Sequence, residues 1–242
     1  MKARRRSGRE RRHQVAAAPP AVNPAPPGQR GGFYKPLSET ECHKIYRAAL
    51  DLLADLGMGE VPKRLADILI KNGAQKIDNE RICIPAKMVE AARKTALSTF
   101  VFHGRDPKRS ITVGGDRVHF GTGGAAVQVL DIDSGLYRAA TLRDLHDFTR
   151  LQDALTNVSW FTRCCIATDI EDIYDLDANT LYALLCNTTR PVGTAFTSAD
   201  HVAPLVDMLD IAAGGPGAFA ERPWLKAHIS PVISPMRFGE DA

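Results

Sequence analysis

Ile45, Ala48, Ala49, Leu52, Leu53 and Leu56 recur at three- and four-residue intervals, which gathers them on one face of a helix. Ser38 suits the N-cap of that helix, Glu41 completes a capping box, and Gly57 ends the element. Pro62 opens a second helix through Ile70, stopped by Asn72-Gly73, and Pro85 starts a third that runs to about Leu97. Arg81-Ile-Cys-Ile-Pro85 reads as a short strand. Phe100–Gly115 is mostly extended, broken by Arg105-Asp106-Pro107 and by Gly114-Gly115. Residues 33–117 are therefore expected to form a small α+β region.

From Val118 the pattern becomes a repeat of strand and helix. Arg117-Val-His-Phe120 leads into the glycine run Gly121-Thr-Gly-Gly124. Ala126–Asp131 and Leu136–Ala139 then flank Asp133-Ser134-Gly135, a hairpin signature. Thr141 caps a helix through Leu155, with Leu142, Leu145, Phe148, Leu151 and Leu155 on one face. Strands over Val158–Ala167 and Pro191–Phe196 precede helices over Asp177–Cys186 and Asp200–Ala212. A turn at Gly214–Gly217 leads to a fourth strand within Trp224–Pro235, and no helix follows it. Such alternation makes a parallel α/β sheet or barrel. Residues 118–242 are expected to be the opening portion of a larger α/β enzyme.

Charge divides the chain the same way. Residues 1–31 hold eight Lys/Arg against one acid, while the remainder holds 23 basic and 27 acidic residues, a net of −4. The basic segment is rich in proline and has no aromatic residue among its arginines, so residues 1–32 are expected to be a disordered, solvated tail rather than a nucleic-acid arm. No apolar stretch is long enough to span a bilayer, which points to a soluble, cytoplasmic protein with no membrane partner. Cys42, Cys83, Cys164, Cys165 and Cys186 lack C-x-x-C spacing, and no H-E-x-x-H is present, so no metal site and reduced thiols are expected.

Several motifs bear on chemistry. Gly121-Thr-Gly123-Gly-Ala-Ala126 fits G-x-G-x-x-A, but a dinucleotide site needs a helix immediately afterwards, and a hairpin follows instead. If the repeat forms a barrel, functional groups belong at the C-terminal ends of its strands. Gly121, Gly123 and Gly124 would then form a mouth loop that a ligand approaches closely, or a hinge without chemistry. The loop Asp169–Asp177 carries five carboxylates in nine residues. Asp169 and Asp172, with the ring of Tyr174, could attract a cation; helix capping is the competing account. Thr197-Ser198, Ser230 to Ser234, His119 and His228 are further wall candidates.

Phe120-Gly-Thr-Gly-Gly-Ala-Ala-Val-Gln-Val-Leu-Asp131, Thr141–Leu155 with Asn157-Val158, Asn187-Thr-Thr-Arg-Pro-Val192 and Ile229–Pro235 resemble the trimethylamine methyltransferase family of corrinoid-dependent enzymes. The resemblance runs from about residue 33 to 242. It implies an eight-stranded (β/α) barrel of the TIM type, of which this chain supplies about the first four βα units. It also implies methyl transfer from a tertiary or quaternary amine, methylamine or betaine, to the cobalt corrinoid of a partner protein. One branch of the family uses pyrrolysine in its later half, a region beyond this chain, and no catalytic residue transfers onto a position here. Another barrel enzyme, a lyase or metal-dependent hydrolase, and a non-catalytic half-barrel that self-associates into a homo-oligomer are the alternatives.

Overall fold

The computed structural model describes residues 22–77 and 80–239. Strand β1 (Gln29–Arg30) pairs antiparallel with β6 (Arg117–Val118), and Arg30 forms an ion pair with Asp116 at 2.5 Å. Asn23 hydrogen-bonds Asn157 at 2.7 Å. The end of the expected disordered tail is thus tied to the body by backbone pairing, because an extended strand edge accepts a partner of almost any composition. Residues 1–21, with seven of the tail's eight basic residues, lie outside the described residues.

Helix α1 (Glu39–Asp51) begins where the capping box places it: Ser38 Oγ accepts from Glu41 N–H and the Glu41 carboxylate accepts from Ser38 N–H. A π-helical turn, Leu52–Leu56, carries the chain to Gly57 at φ 67°. A Cβ on Gly57 would press on the Ile82 backbone, so the stop signal is also a close approach. Next come α2 (Lys63–Lys71), the antiparallel pair β2 (Gln75–Lys76) and β3 (Ile82–Cys83), α3 (Ala86–Thr95), and the antiparallel pair β4 (Thr99–Phe102) and β5 (Ile111–Gly114). Met58, Ala74, Ile82 and Cys83 make a small buried nucleus. None of the three helices buries a residue completely, and Ile45 and Ile68 stay half exposed. The amphipathic pattern was sufficient to form these helices, yet their apolar faces have no full cover among the described residues.

The second region holds β7 (Phe120–Gly121), the hairpin β8 (Gln128–Leu130) and β9 (Tyr137–Ala139), α4 (Leu142–Asp153), β10 (Val158–Thr162), α5 (Ile173–Asn187), β11 (Val192–Ala195), α6 (Val202–Ala213), α7 (Ala218–Glu221), β12 (Leu225–His228), and the hairpin β13 (Val232–Ile233) and β14 (Arg237–Phe238). Strands β7, β10, β11 and β12 form one parallel sheet in chain order, with α4 packed on α5 and α5 on α6. The expected parallel α/β sheet is present; these strands do not close into a barrel by themselves.

Several elements differ from expectation. Strand β10 ends at Thr162 rather than Ala167. The fourth strand ends at His228, and Pro231 onward turns back as a hairpin. The turn near Gly214 contains α7. Helix α5 starts four residues early, because Asp172 rather than a later acid is its N-cap: Asp172 Oδ1 accepts from Tyr174 and Asp175 N–H.

The main core fills the helix-facing side of the sheet. Phe161 and Val192 meet Leu181, Leu184, Leu205, Leu209 and Trp224, all buried. A second cluster of Val129, Ala140, Leu145, Cys165 and Ala183 sits under the hairpin. Helix α4 is anchored at its start by Thr141 and Asp144, whose carboxylate also takes both arms of the Arg138 guanidinium at 2.7 and 2.8 Å. The Arg138 fork holds the Asp144 carboxyl well below the usual carboxylate range, against the opposing effect of burial. This stabilisation is present above the unfolded-state pKa of about 3.9 and is lost as pH falls through the lowered folded value. Asp144→Ala should cost about 1–2 kcal/mol at neutral pH, discounted for the exposed side of Arg138, and the loss should shrink in acid. Urea unfolding at pH 7 and pH 3 measures both.

Candidate functional site

A β-strand sends alternate side chains to opposite faces. On β10, Phe161 goes to the helix layer and Trp160 and Thr162 to the other face; on β11, Val192 faces the helices and Gly193 the other side. The uncovered face and the loops beyond the strand ends bound an open cavity of about 1080 Å³. Its walls come from all four strands: Gly123 and Gly124 after β7, Trp160 and Arg163 on and after β10, Phe196 to Ser198 after β11, and His228 to Ser230 at β12. The cavity opens at the C-terminal ends of parallel strands, where α/β proteins concentrate their chemistry.

The glycine run is held to β10. Thr162 N–H donates to Thr122 Oγ1 at 2.9 Å, and Thr122 Oγ1 donates to the Thr162 carbonyl at 2.6 Å. Farther on, Ala126 N–H donates to Cys164 O and Ile166 N–H to Ala126 O, so the chain follows β10 past its formal end. A Cβ on Gly124 would lie 3.2 Å from the Arg163 carbonyl, which leaves little space for a side chain. Gly121 lies directly against the Trp160 indole, and a Cβ there would overlap the ring. No helix follows this run until Leu142, whereas a dinucleotide-binding glycine turn opens directly into one.

Opposite it, the loop after β11 is fixed by Asp177. This carboxylate is fully buried on α5, and its Oδ2 accepts from Thr197 N–H, Thr197 Oγ1 and His201 Nδ1, each at 2.8 Å. Tyr174 packs its ring edge-on to His201 at 5.2 Å. Asp169 accepts from Leu142 N–H at 2.9 Å, and Asp172 caps α5. Both carboxylates are thus spent on helix starts and lie outside the cavity lining. Of the predicted site residues, Gly123 and Gly124 line the cavity, Gly121 underlies Trp160, and Asp169, Asp172 and Tyr174 stand behind the wall. Thr197, Ser198, Ser230 and His228 are in the lining; His119 instead bonds Thr112 O at 2.8 Å.

Trp160, Arg163 and Lys226 were not singled out from the sequence. Lys226 Nζ stands 4.0 Å from the centre of the Trp160 ring. Partial burial lowers the proton affinity of His228, and the positive charges of Lys226 and Arg163 lower it further. The alternation around Phe161 was the available signal, since it assigns residues 160 and 162 to the opposite face. Among the described residues, no helix is long and apolar enough to cross a membrane, and no group of three or more His, Cys, Asp or Glu could hold a metal ion.

Comparison with known proteins gives this cavity its context. A family model described as trimethylamine methyltransferase (MTTB) matches residues 4–242. The trimethylamine methyltransferase MttB of Desulfitobacterium hafniense (strain DSM 10664 / DCB-2) is 29% identical over 201 residues, 83% of this chain and 40% of that protein. The glycine betaine methyltransferase of Desulfitobacterium hafniense (strain Y51) is 25% identical over 215 residues, 88% of this chain and 44% of the relative. The chain therefore spans about two fifths of the length of these curated relatives. With a match over nearly its whole length, the chain belongs to the trimethylamine methyltransferase family.

Proposed function

We propose that this chain forms the methyl-donor side of a methyltransferase that moves a methyl group from a tertiary or quaternary amine to the cobalt of a corrinoid protein. The family match over residues 4–242 carries this reading. The relatives act, by name, on trimethylamine and glycine betaine, and this chain takes a substrate of the same kind. The four chain-ordered parallel strands are about half of an eight-stranded barrel; β7 and β12 each have one sheet edge unpaired among the described residues, which supports the closure. Five free cysteines support a cytoplasmic setting.

In this reaction the reduced cobalt supplies the electron pair that forms the new carbon–metal bond, while the C–N pair leaves on nitrogen as the demethylated amine. The protein's part is to hold the amine, exclude water and aim the C–N bond. Trp160 and Phe196 provide rigid apolar walls, and Gly123 and Gly124 let the ligand approach backbone directly. The open mouth leaves room for a corrinoid domain. A corrinoid protein poised in its reduced state, mixed with this chain joined to the rest of its barrel, should lose its reduced-cobalt absorption on addition of trimethylamine or glycine betaine. No change with either amine would contradict the proposal.

A further inference from the structure

Past Thr162 the chain leaves the regular strand, and two adjacent cysteines follow. On a strand, neighbouring side chains point to opposite faces and do not meet. Here the segment is irregular. Cys165 belongs to the cluster of Val129, Ala140, Leu145 and Ala183, and Cys164 packs against that same cluster as well as the main core. The two thiols therefore lie on one side of the chain. Cys165 is 1% exposed, whereas Cys164 keeps part of its surface open. Interaction with the Cys165 thiol holds the Cys164 thiol below its ordinary range, and Cys165 is pushed up in turn. The thiolate is the nucleophile of disulfide exchange, so Cys164 is placed to attack and Cys165 to resolve.

The same segment braces the cavity wall. Ala125 N–H donates to Arg163 O, Ala126 N–H to Cys164 O, and Ile166 N–H to Ala126 O. These bonds hold the end of the glycine run, of which Gly123 and Gly124 line the cavity. A disulfide between the two neighbours would strain this brace. Adjacent Cα atoms across a trans peptide stand about 3.8 Å apart, while disulfides ordinarily span about 4.4–6.8 Å, so closure must twist the intervening peptide. The Cys164 carbonyl belongs to that peptide, and turning it withdraws the acceptor of Ala126 N–H. Such strain also makes the bond easily reduced, which is the property of labile, regulatory disulfides rather than structural ones.

We infer that Cys164 and Cys165 form a reversible redox couple that a low-molecular-weight disulfide oxidises, loosening the glycine wall of the cavity. The Cys164 thiolate attacks the small disulfide and expels one thiol. Cys165 then gives up its proton and attacks the Cys164 sulfur, expelling the second. The pair loses two protons and two electrons, all taken up by the two small thiols released. Oxidised glutathione tests this on the 242-residue chain carrying Cys186→Ser, which removes the other cysteine of the same tryptic peptide. That peptide should lose two hydrogen masses. Exchange of the Ala125, Ala126 and Ile166 amides should quicken at least tenfold while the amides of α5 stay protected, and dithiothreitol should reverse both changes. Cys165→Ala should stop at one glutathione adduct on Cys164, and Cys164→Ala should take none on Cys165. The first measurement keeps the pair intact, so it remains decisive if either alanine variant fails to fold. A pair that stays reduced or stops at the adduct in excess oxidised glutathione would overturn the inference, as would a disulfide that leaves those three amides unchanged.

Discussion

Asp177→Ala should destabilise the protein by about 3–4 kcal/mol, among the largest effects of any polar substitution here. The carboxylate has no exposed surface, and one oxygen satisfies two donors of Thr197 and the ring N–H of His201. Truncation strands three donors and leaves a void under the loop; Thr197 can turn to water, whereas the largely buried His201 ring retains its desolvation cost. Arg163 also loses the one negative charge that offsets its burial. The damage should be local as well as global. Thr197 and Ser198 line the cavity, so proteolysis after β11 should accelerate along with the drop in the urea midpoint. Asp177→Asn preserves the size and one acceptor oxygen and should cost roughly half as much. Equal stability of Asp177→Ala and the parent would show that the three hydrogen bonds contribute nothing.

Gly121→Val should have the second largest effect, about 2–3 kcal/mol, and it should act chiefly through the cavity wall. Any Cβ at this position overlaps the Trp160 indole, so the ring must leave its place between the β7 backbone and Lys226. A branched side chain prevents it from returning. Tryptophan fluorescence should shift, because Trp160 is one of two tryptophans and Trp224 is held separately in the main core. Ligand affinity should fall at least tenfold, since the wall that shapes the site has moved. An unchanged emission spectrum together with unchanged affinity would mean that Trp160 does not pack on Gly121.

Local signals were legible in the sequence wherever the chemistry lies within four residues. Ser38 with Glu41, Thr141 at the start of α4, and Gly57 at the end of the first helical segment could be read because capping and a positive φ are settled by neighbours in the chain. The alternation of strand and helix that gave the parallel sheet was legible for the same reason. The start of α5 was not: Asp169 to Asp177 offers several acids that suit either a loop or a first helical turn, and composition does not rank them. Nor does the sequence reveal that Asp177 turns inward to Thr197, a contact that depends on how α5 docks beside β11.

The site was legible in part. Gly123, Gly124, His228 and Thr197 lie where the rule about strand ends puts them. Trp160, Arg163 and Lys226 escaped notice because their meaning comes from adjacency across strands. Lys226 reaches Trp160 only because β10, β11 and β12 are consecutive in the sheet and Gly193 keeps the strand between them bare. The resemblance of the glycine-to-helix block supplied what spacing alone does not, namely the family.

Methyl transfer itself is most directly tested with glycine betaine labelled with carbon-13 in its methyl groups. The account predicts that, with this chain joined to the rest of its barrel and a reduced corrinoid protein present, one label per turnover leaves nitrogen and appears as a cobalt-bound methyl resonance, with dimethylglycine formed in equal amount. Label that stays on nitrogen while the chain is folded and the amine is bound would contradict it.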